Sequence, residues 1–348
     1  MKKILLILTG GTICSIADKQ GKNRDIHMEE TKTLLLENFQ NSGSRFAKRE
    51  FEVVTALCVL SENMTLKRWN ELLDFFKGLS FGDYEGILIA HGTDTLSYMS
   101  SLIALLFSNI PVPVFLVSSN HPLEEKRANG NIHFQKSVEL IGDGIRNGAY
   151  VIYRNEAQGI LLHKAGHLEA CGDYSNDFYS RDAISLEGKS IEEINHWAQN
   201  TDTKPLEIEQ AVSFTESVLF IRPYVGLDYR QIHLSSSIKA IVHGLYHSAT
   251  ACVGEKSHTG QEAETTSILW LLRECSKRNI PVIITPARED ALYVSGSQMI
   301  QAGAIPVYGM TTEMVYVKTV LGIAMGLEGE GLMEFLRRNV CGEYFANV

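Results

Sequence analysis

Two short stretches carry side chains whose type and spacing suit acyl chemistry: Thr9-Gly10-Gly11-Thr12 near the start and His91-Gly92-Thr93-Asp94-Thr95 further on. In each, a hydroxyl stands beside glycine. A hydroxyl can attack a carbonyl carbon, and glycine lets backbone amides come close to the oxygen that gains charge. Thr12 is the candidate nucleophile. Thr93 and Asp94 are the candidate pair that activates a water or the nucleophile, with Asp94 also suited to hold a substrate ammonium through a charge-assisted bond. Gly11 and Gly92 are expected to present backbone groups to the bound molecule.

Such groups act together only if a scaffold brings them to one place. Residues 2–8 and 84–90 are apolar runs that read as buried strands, and each leads straight into one of the two turns. After the second turn, Leu96, Leu102, Ile103, Leu105 and Leu106 read as a helix packed back on a sheet. Both turns therefore fall at a sheet's carboxyl edge, where α/β proteins keep their ligands. Residues 51–60 read as a further strand ending in Ser61-Glu62-Asn63. Ser61 also suits an N-cap for the helix holding Trp69, Leu72, Leu73 and Phe76. A strand over 112–117 ends in Ser118-Ser119-Asn120, where Ser118 and Ser119 can meet a substrate amide or satisfy local backbone.

The combination of Thr-Gly-Gly-Thr-Ile at 9–13, Ser-Glu-Asn-Met-Thr at 61–65 and His-Gly-Thr-Asp-Thr at 91–95 resembles the bacterial L-asparaginase family, whose members use threonine nucleophiles. Arg127-Ala128-Asn129-Gly130-Asn131, and Gly309-Met310-Thr311-Thr312-Glu313 followed by Tyr316-Val317-Lys318, extend the likeness over nearly the whole chain. The resemblance is nearest to the cytoplasmic type I group. It implies two Rossmann-like α/β domains with largely parallel sheets, the larger N-terminal and the smaller C-terminal. It implies hydrolysis of L-asparagine to L-aspartate and ammonia through an acyl-enzyme on Thr12, with Ser61 and Glu62 gripping the α-carboxylate and α-amino ends. No cofactor and no metal are expected. A homodimer or homotetramer is, because the family assembles its sites between subunits.

Three departures stand out. The family's lid loop, here 14–28, normally carries a tyrosine beside the nucleophile, but residues 1–83 contain none, which leaves Arg24, water or nothing in its place. The family's catalytic lysine falls on Glu169 when Asp177-Phe178-Tyr179-Ser180 is matched without gaps, or on Lys164 if a short insertion is allowed. The turn Gly244-Leu245-Tyr246-His247, which in the family reaches toward a partner's site, differs from the usual Gly-x-Gly-Asn, so substrate preference can differ too.

Length and composition fit this frame. The 348 residues suit two domains, read as 1–190 and 216–348 with a polar linker over 191–215. The second is expected to hold strands near 218–221, 238–244, 280–285 and 304–308, and helices near 261–277 and 312–325. A formal charge of −9 argues against a nucleic-acid partner. The six cysteines form no CxxC pair, and no disulfide or zinc site is read from them. His243, His247 and His258 lack a carboxylate or cysteine at ligand spacing. Met1-Lys2-Lys3 with the apolar run behind it imitates a signal peptide, but the run is short and feeds the glycine turn, so a cytoplasmic protein with no membrane association is expected. The first turn lacks the third glycine of a dinucleotide fingerprint, and there is no P-loop lysine. Glu313 reads as a first-turn carboxylate behind a Thr311 cap, with no catalytic part.

Two other functions fit the same residues. One keeps the chemistry and changes its use: a related amidohydrolase or glutaminase, or an amidotransferase-type subunit like that of archaeal tRNA amidotransferase, which carries an extra N-terminal domain. The other is a catalytically weak amino-acid-binding regulatory protein, in which Thr12 would be dispensable.

Overall fold

The computed structural model describes residues 2–17, 24–199, 202–207, 212–254, 264–289 and 293–345. The chain divides into two compact units, Met1–Ile208 with Val340–Gly342, and Glu209–Asn339 with Glu343–Val348.

In the first unit, β1 (Lys3–Gly10) is followed by a small antiparallel pair, β2 (Ser15–Ala17) and β3 (Arg24–Ile26), at the base of the expected lid. Residues 18–23 of that loop lie outside the described residues. Helix α1 (Met28–Gln40), β4 (Phe51–Val59), α2 (Leu66–Lys77), β5 (Tyr84–Ala90), α3 (Leu96–Leu106), β6 (Pro113–Val117), α4 (Gly130–Gly142) and β7 (Gly148–Asn155) then alternate. The chain closes with β8 (Gly159–Lys164), β9 (Ile184–Ser185) and α5 (Ile191–Trp197). Strand order is β4-β1-β5-β6-β7-β8-β9 among the described residues, parallel from β4 to β7 and antiparallel from β7 onward. The sheet is therefore largely parallel, as expected.

The burial of β1 explains its sequence. Leu6, Leu8, Leu88 and Phe115 pack with Leu35 and Phe39 of α1 and with Phe134 and Val138 of α4. The alternate residues Leu5, Ile7, Ile87 and Ile89 are equally buried on the other face. A sheet covered on both faces asks for continuous rather than alternating apolar strands.

Two readings shift. The sequence of residues 159–170 suggests a hairpin turning at Lys164-Ala165-Gly166, but the chain turns one strand earlier, between Asn155 and Gly159, where Gly159 takes the positive φ of +73° that a tight reversal needs. Residues 165–167 form a single helical turn after β8 instead. The segment read as a linker begins with packed structure. Ser190 and Glu193 form a capping box at the start of α5, and Ile194 and Ala198 lie in the first unit's core.

The second unit holds β10 (Val218–Ile221), β11 (Ala240–Gly244), α6 (Ile268–Ser276), β12 (Val282–Ala287), α7 (Val294–Gln301), β13 (Ile305–Tyr308), α8 (Thr312–Ala324) and α9 (Gly329–Arg337). Its strands are parallel in chain order. The helix expected over 261–277 starts only at Ile268, because Ser267 caps it by accepting the Leu269 N–H. Thr311 caps α8 through the Met314 N–H, as its sequence suggested. Lys318 is fully buried and donates to Leu336 O, Arg338 O and the Glu343 carboxylate. An ammonium can stay in an apolar interior when each of its protons has an acceptor.

Candidate active site

The connection leaving β1 runs to β4 on one side, whereas that leaving β5 runs to β6 on the other. Adjacent parallel strands whose connections diverge leave a crevice at their carboxyl ends. The crevice between β1 and β5 receives both glycine turns.

The backbone brings those turns into contact. Gly10 and Gly11 sit at φ +112° and +76°, open to glycine at little cost. A Cβ on Gly11 would overlap the backbone of Gly92, and one on Gly92 would lie 2.5 Å from Ser61 Oγ. The Gly11 N–H is given to Val59 O at 2.9 Å, at the end of β4. Three strand ends thus interlock through glycine. Gly11→Ala is expected to destabilise the first unit by about 2 kcal/mol or more, since it adds positive-φ strain to a backbone overlap. A lowered thermal midpoint with a broken site would show it, and an unchanged midpoint would contradict the interlock.

Thr12 opens a short helical turn, Thr12–Cys14, and is partly exposed, while Ile13 and Cys14 beside it are buried. Thr93 is also partly exposed and Asp94 is exposed. Ser61 is buried. Its Oγ donates to Asp94 Oδ2 at 3.2 Å and accepts the Asp94 N–H at 3.3 Å. Glu62 and Asn63 are exposed beside it. Ser118 follows Val117, whose carbonyl accepts the His91 N–H at 2.9 Å. Ser118 is fully buried, and its Oγ has no hydrogen-bond partner among the described residues. Ser119 takes the local option, donating to His121 O and accepting the Gly130 N–H.

The two lysine positions differ in setting. Lys164 is half-buried, 3.9 Å from Asp182 Oδ2 and 5.4 Å from the centre of the Trp197 ring. Burial lowers its pKa, and Asp182 opposes the shift. Glu169 is exposed, its N–H given to Tyr179 O, and desolvation raises its carboxyl pKa.

Two features escaped the sequence reading. Cys171 holds its thiol against Ser175 O and Asp177 O, at 3.0 and 3.1 Å. Desolvation raises its pKa, and the Asp177 and Asp94 carboxylates add to the rise. Only its place just after Glu169 could have hinted at this. His91, quoted only as part of a motif, is 1% exposed, and desolvation lowers its pKa to about 4, keeping the ring neutral. Its Nδ1 lies 2.8 Å from Thr9 Oγ1 and its Nε2 3.1 Å from Thr95 Oγ1.

In the second unit, His243 is buried and bonded to Tyr229 Oη at 2.8 Å, while His247 is exposed in the turn after β11. His258 lies outside the described residues. Among the described residues no group of three histidine, cysteine or acidic side chains is placed to hold a metal ion, and no helix is long and apolar enough to cross a membrane.

Two hydroxyl-bearing glycine turns thus meet at the switch point of an α/β sheet, and known proteins resemble this chain in sequence and fold. The asparaginase N-terminal family model matches residues 3–170. The chain is 24% identical to L-asparaginase 1 of Escherichia coli over 350 residues, covering 98% of both chains. It is 25% identical to a glutamyl-tRNA(Gln) amidotransferase subunit of Methanothermobacter thermautotrophicus over 355 residues, covering 98% of this chain and 76% of that one. Its fold matches the thermostable L-asparaginase from Thermococcus kodakarensis with a TM-score of 0.71 at 22% identity, covering 99% of this chain and 100% of that one. It matches L-asparaginase I from Vibrio cholerae with the same score at 20% identity, covering 99% of each. Residues 3–170 thus match the asparaginase N-terminal family model, and the whole chain shares its fold with these two L-asparaginase structures.

Proposed function

We propose that the protein hydrolyses the side-chain amide of L-asparagine to L-aspartate and ammonia through an acyl-enzyme on Thr12. The observation that carries this reading is the contact of the Gly11 and Gly92 backbones, which sets the Thr12 and Thr93-Asp94 turns side by side at the switch point. Thr12 Oγ attacks the amide carbon while turn amides other than that of Gly11, which is given to Val59 O, receive the developing oxyanion. The hydroxyl proton ends on the amide nitrogen, the C–N bond breaks and ammonia leaves. Water, activated by Thr93 with Asp94, then cleaves the ester and returns a proton to Thr12. Ser61 occupies Asp94 Oδ2, which leaves Oδ1 for the substrate ammonium. Ser61, Glu62 and Ser118, with backbone of Gly11 and Gly92, hold the rest of the substrate. The same reading has the protein act in the cytoplasm as a homodimer or homotetramer.

A second reading draws support from the likeness to the archaeal amidotransferase subunit, and in it the released ammonia would pass to a partner. One assay addresses both: ammonia release from asparagine and glutamine by the protein alone, repeated with hydroxylamine. Free ammonia with aspartyl hydroxamate formed in the trap is the expected result. Ammonia at the blank level from both amides would overturn the asparaginase reading.

A further inference from the structure

We propose that His91 is the positioning residue that holds the Ser61–Asp94 pair in register with the end of β1, and that ligand affinity depends on both of its ring nitrogens. The inference rests on the reading of this crevice as an amino-acid amide site and adds a residue to which that chemistry assigns no role.

A hydrogen-bonded chain links these groups. Thr9, three residues before Thr12, lies 2.8 Å from His91 Nδ1 and also 2.8 Å from Ala90 O. Thr95 lies 3.1 Å from His91 Nε2 and 3.1 Å from Ser61 O. Ser61 in turn exchanges two hydrogen bonds with Asp94. The ring therefore spans the gap between β1 and the β5 turn, and residues 82 positions apart meet through it.

Proton counting restricts how the chain can be wired. A neutral imidazole donates from one nitrogen and accepts at the other. If Nδ1 donates to Thr9, the Thr9 proton goes to Ala90 O and the Thr95 proton must go to Nε2. In the opposite order Thr9 donates to Nδ1, Nε2 donates to Thr95, and Thr95 donates to Ser61 O. That second order gives one directed chain, Thr9 to His91 to Thr95 to Ser61, and directed chains strengthen their members. Both orders use both nitrogens. An apolar ring of similar shape would fill the space and leave the Thr9 and Thr95 hydroxyls without the link.

The test uses His91→Phe, Thr95→Val, which removes the link from its other end, and the double variant. For each, kcat and KM for asparagine, the dissociation constant for L-aspartate by calorimetry and the thermal midpoint are measured. His91→Phe is expected to raise KM and the aspartate dissociation constant about tenfold to a hundredfold, by analogy with the loss caused when a hydrogen-bond partner that orients a metal-ligating side chain is removed. The change in kcat should be smaller, and the acid limb of the rate profile should keep its place because the ring is neutral throughout. The double variant should be no weaker than the weaker single variant. A purely structural role would lower the midpoint and leave aspartate affinity within twofold, and that result overturns the inference, as do single effects that multiply in the double. Should His91→Phe not fold, Thr95→Val alone decides by the same affinity criterion. A wild type that binds aspartate but releases no ammonia refutes the hydrolytic reading and leaves the affinity test in force; one that binds no aspartate refutes both.

Discussion

Thr12→Ala is expected to release ammonia from asparagine at no more than about one ten-thousandth of the wild-type rate, since nucleophile removal in covalent hydrolases costs roughly four to six powers of ten in turnover. The geometry makes this a clean experiment. Thr12 is partly exposed, so loss of its hydroxyl and methyl leaves the buried Ile13 and Cys14 in place, and the thermal midpoint should move by only a few degrees. Aspartate should still bind, because Ser61 and Asp94 are untouched. Thr12→Ser keeps the oxygen and should retain measurable turnover. Combining Thr12→Ala with Thr93→Ala should add little to the first loss, as expected of groups that serve one reaction. Equal ammonia release by wild type and Thr12→Ala would remove the covalent mechanism and favour the amino-acid-binding reading, in which this hydroxyl is dispensable.

What the sequence made legible, and what it hid, follows from the range of the interactions. The run of residues 2–8 announces a strand buried on both faces, because burial acts on each residue separately. Glycines 10 and 11 mark a turn because only the backbone of glycine enters that region freely. Caps such as Thr311 and Ser267 act over two or three residues and can be read locally. The misplaced hairpin is a contest between neighbours, which Gly159 wins through its positive φ. Helices α7 and α9 were missed because Gly296 and Gly331 interrupt them and weaken local propensity, whereas Met299, Leu332 and Phe335 bury them against the fold. Long-range pairs were hidden altogether. No local pattern says that Thr9 meets His91, or that Lys164 faces Asp182 and Trp197. The candidate site was therefore visible as two turns, and the network that joins them was not.

Lowering the pH from 7 to 5 is expected to destabilise the first unit by several kcal/mol, through histidines that the fold keeps neutral. Desolvation lowers the pKa of His91 and His163 to about 4 and that of His133 to about 3, against 6.5 for the free side chain. A folded-state pKa below the unfolded one means that the unfolded chain binds the proton first. The stability contribution is thus complete above about pH 6.5 and is lost as pH falls through 6.5 toward the folded values. At 1.4 kcal/mol per unit, each ring loses roughly 2 kcal/mol by pH 5. Three such rings together approach the net stability of a typical domain. The hydrogen bonds give the loss a concrete cause at His133, whose Nδ1 donates to Ser118 O at 2.8 Å and whose Nε2 accepts the Arg154 N–H at 2.7 Å. Protonation would set two N–H groups against each other there. Carboxylates held below their usual range, Asp182 and Glu139, work in a different window, because their contribution is lost only as pH falls below the ordinary carboxylate values. Urea unfolding followed at pH 7, 6 and 5 should therefore show the midpoint falling, with proton uptake on unfolding between pH 6 and 5. His133→Gln, which keeps a donor and an acceptor without a titrating ring, should flatten that dependence by about a third. A midpoint that holds constant down to pH 5 would mean that these rings are already protonated or reached by water in the folded protein, and the neutral wiring of His91 between Thr9 and Thr95 would fail with it.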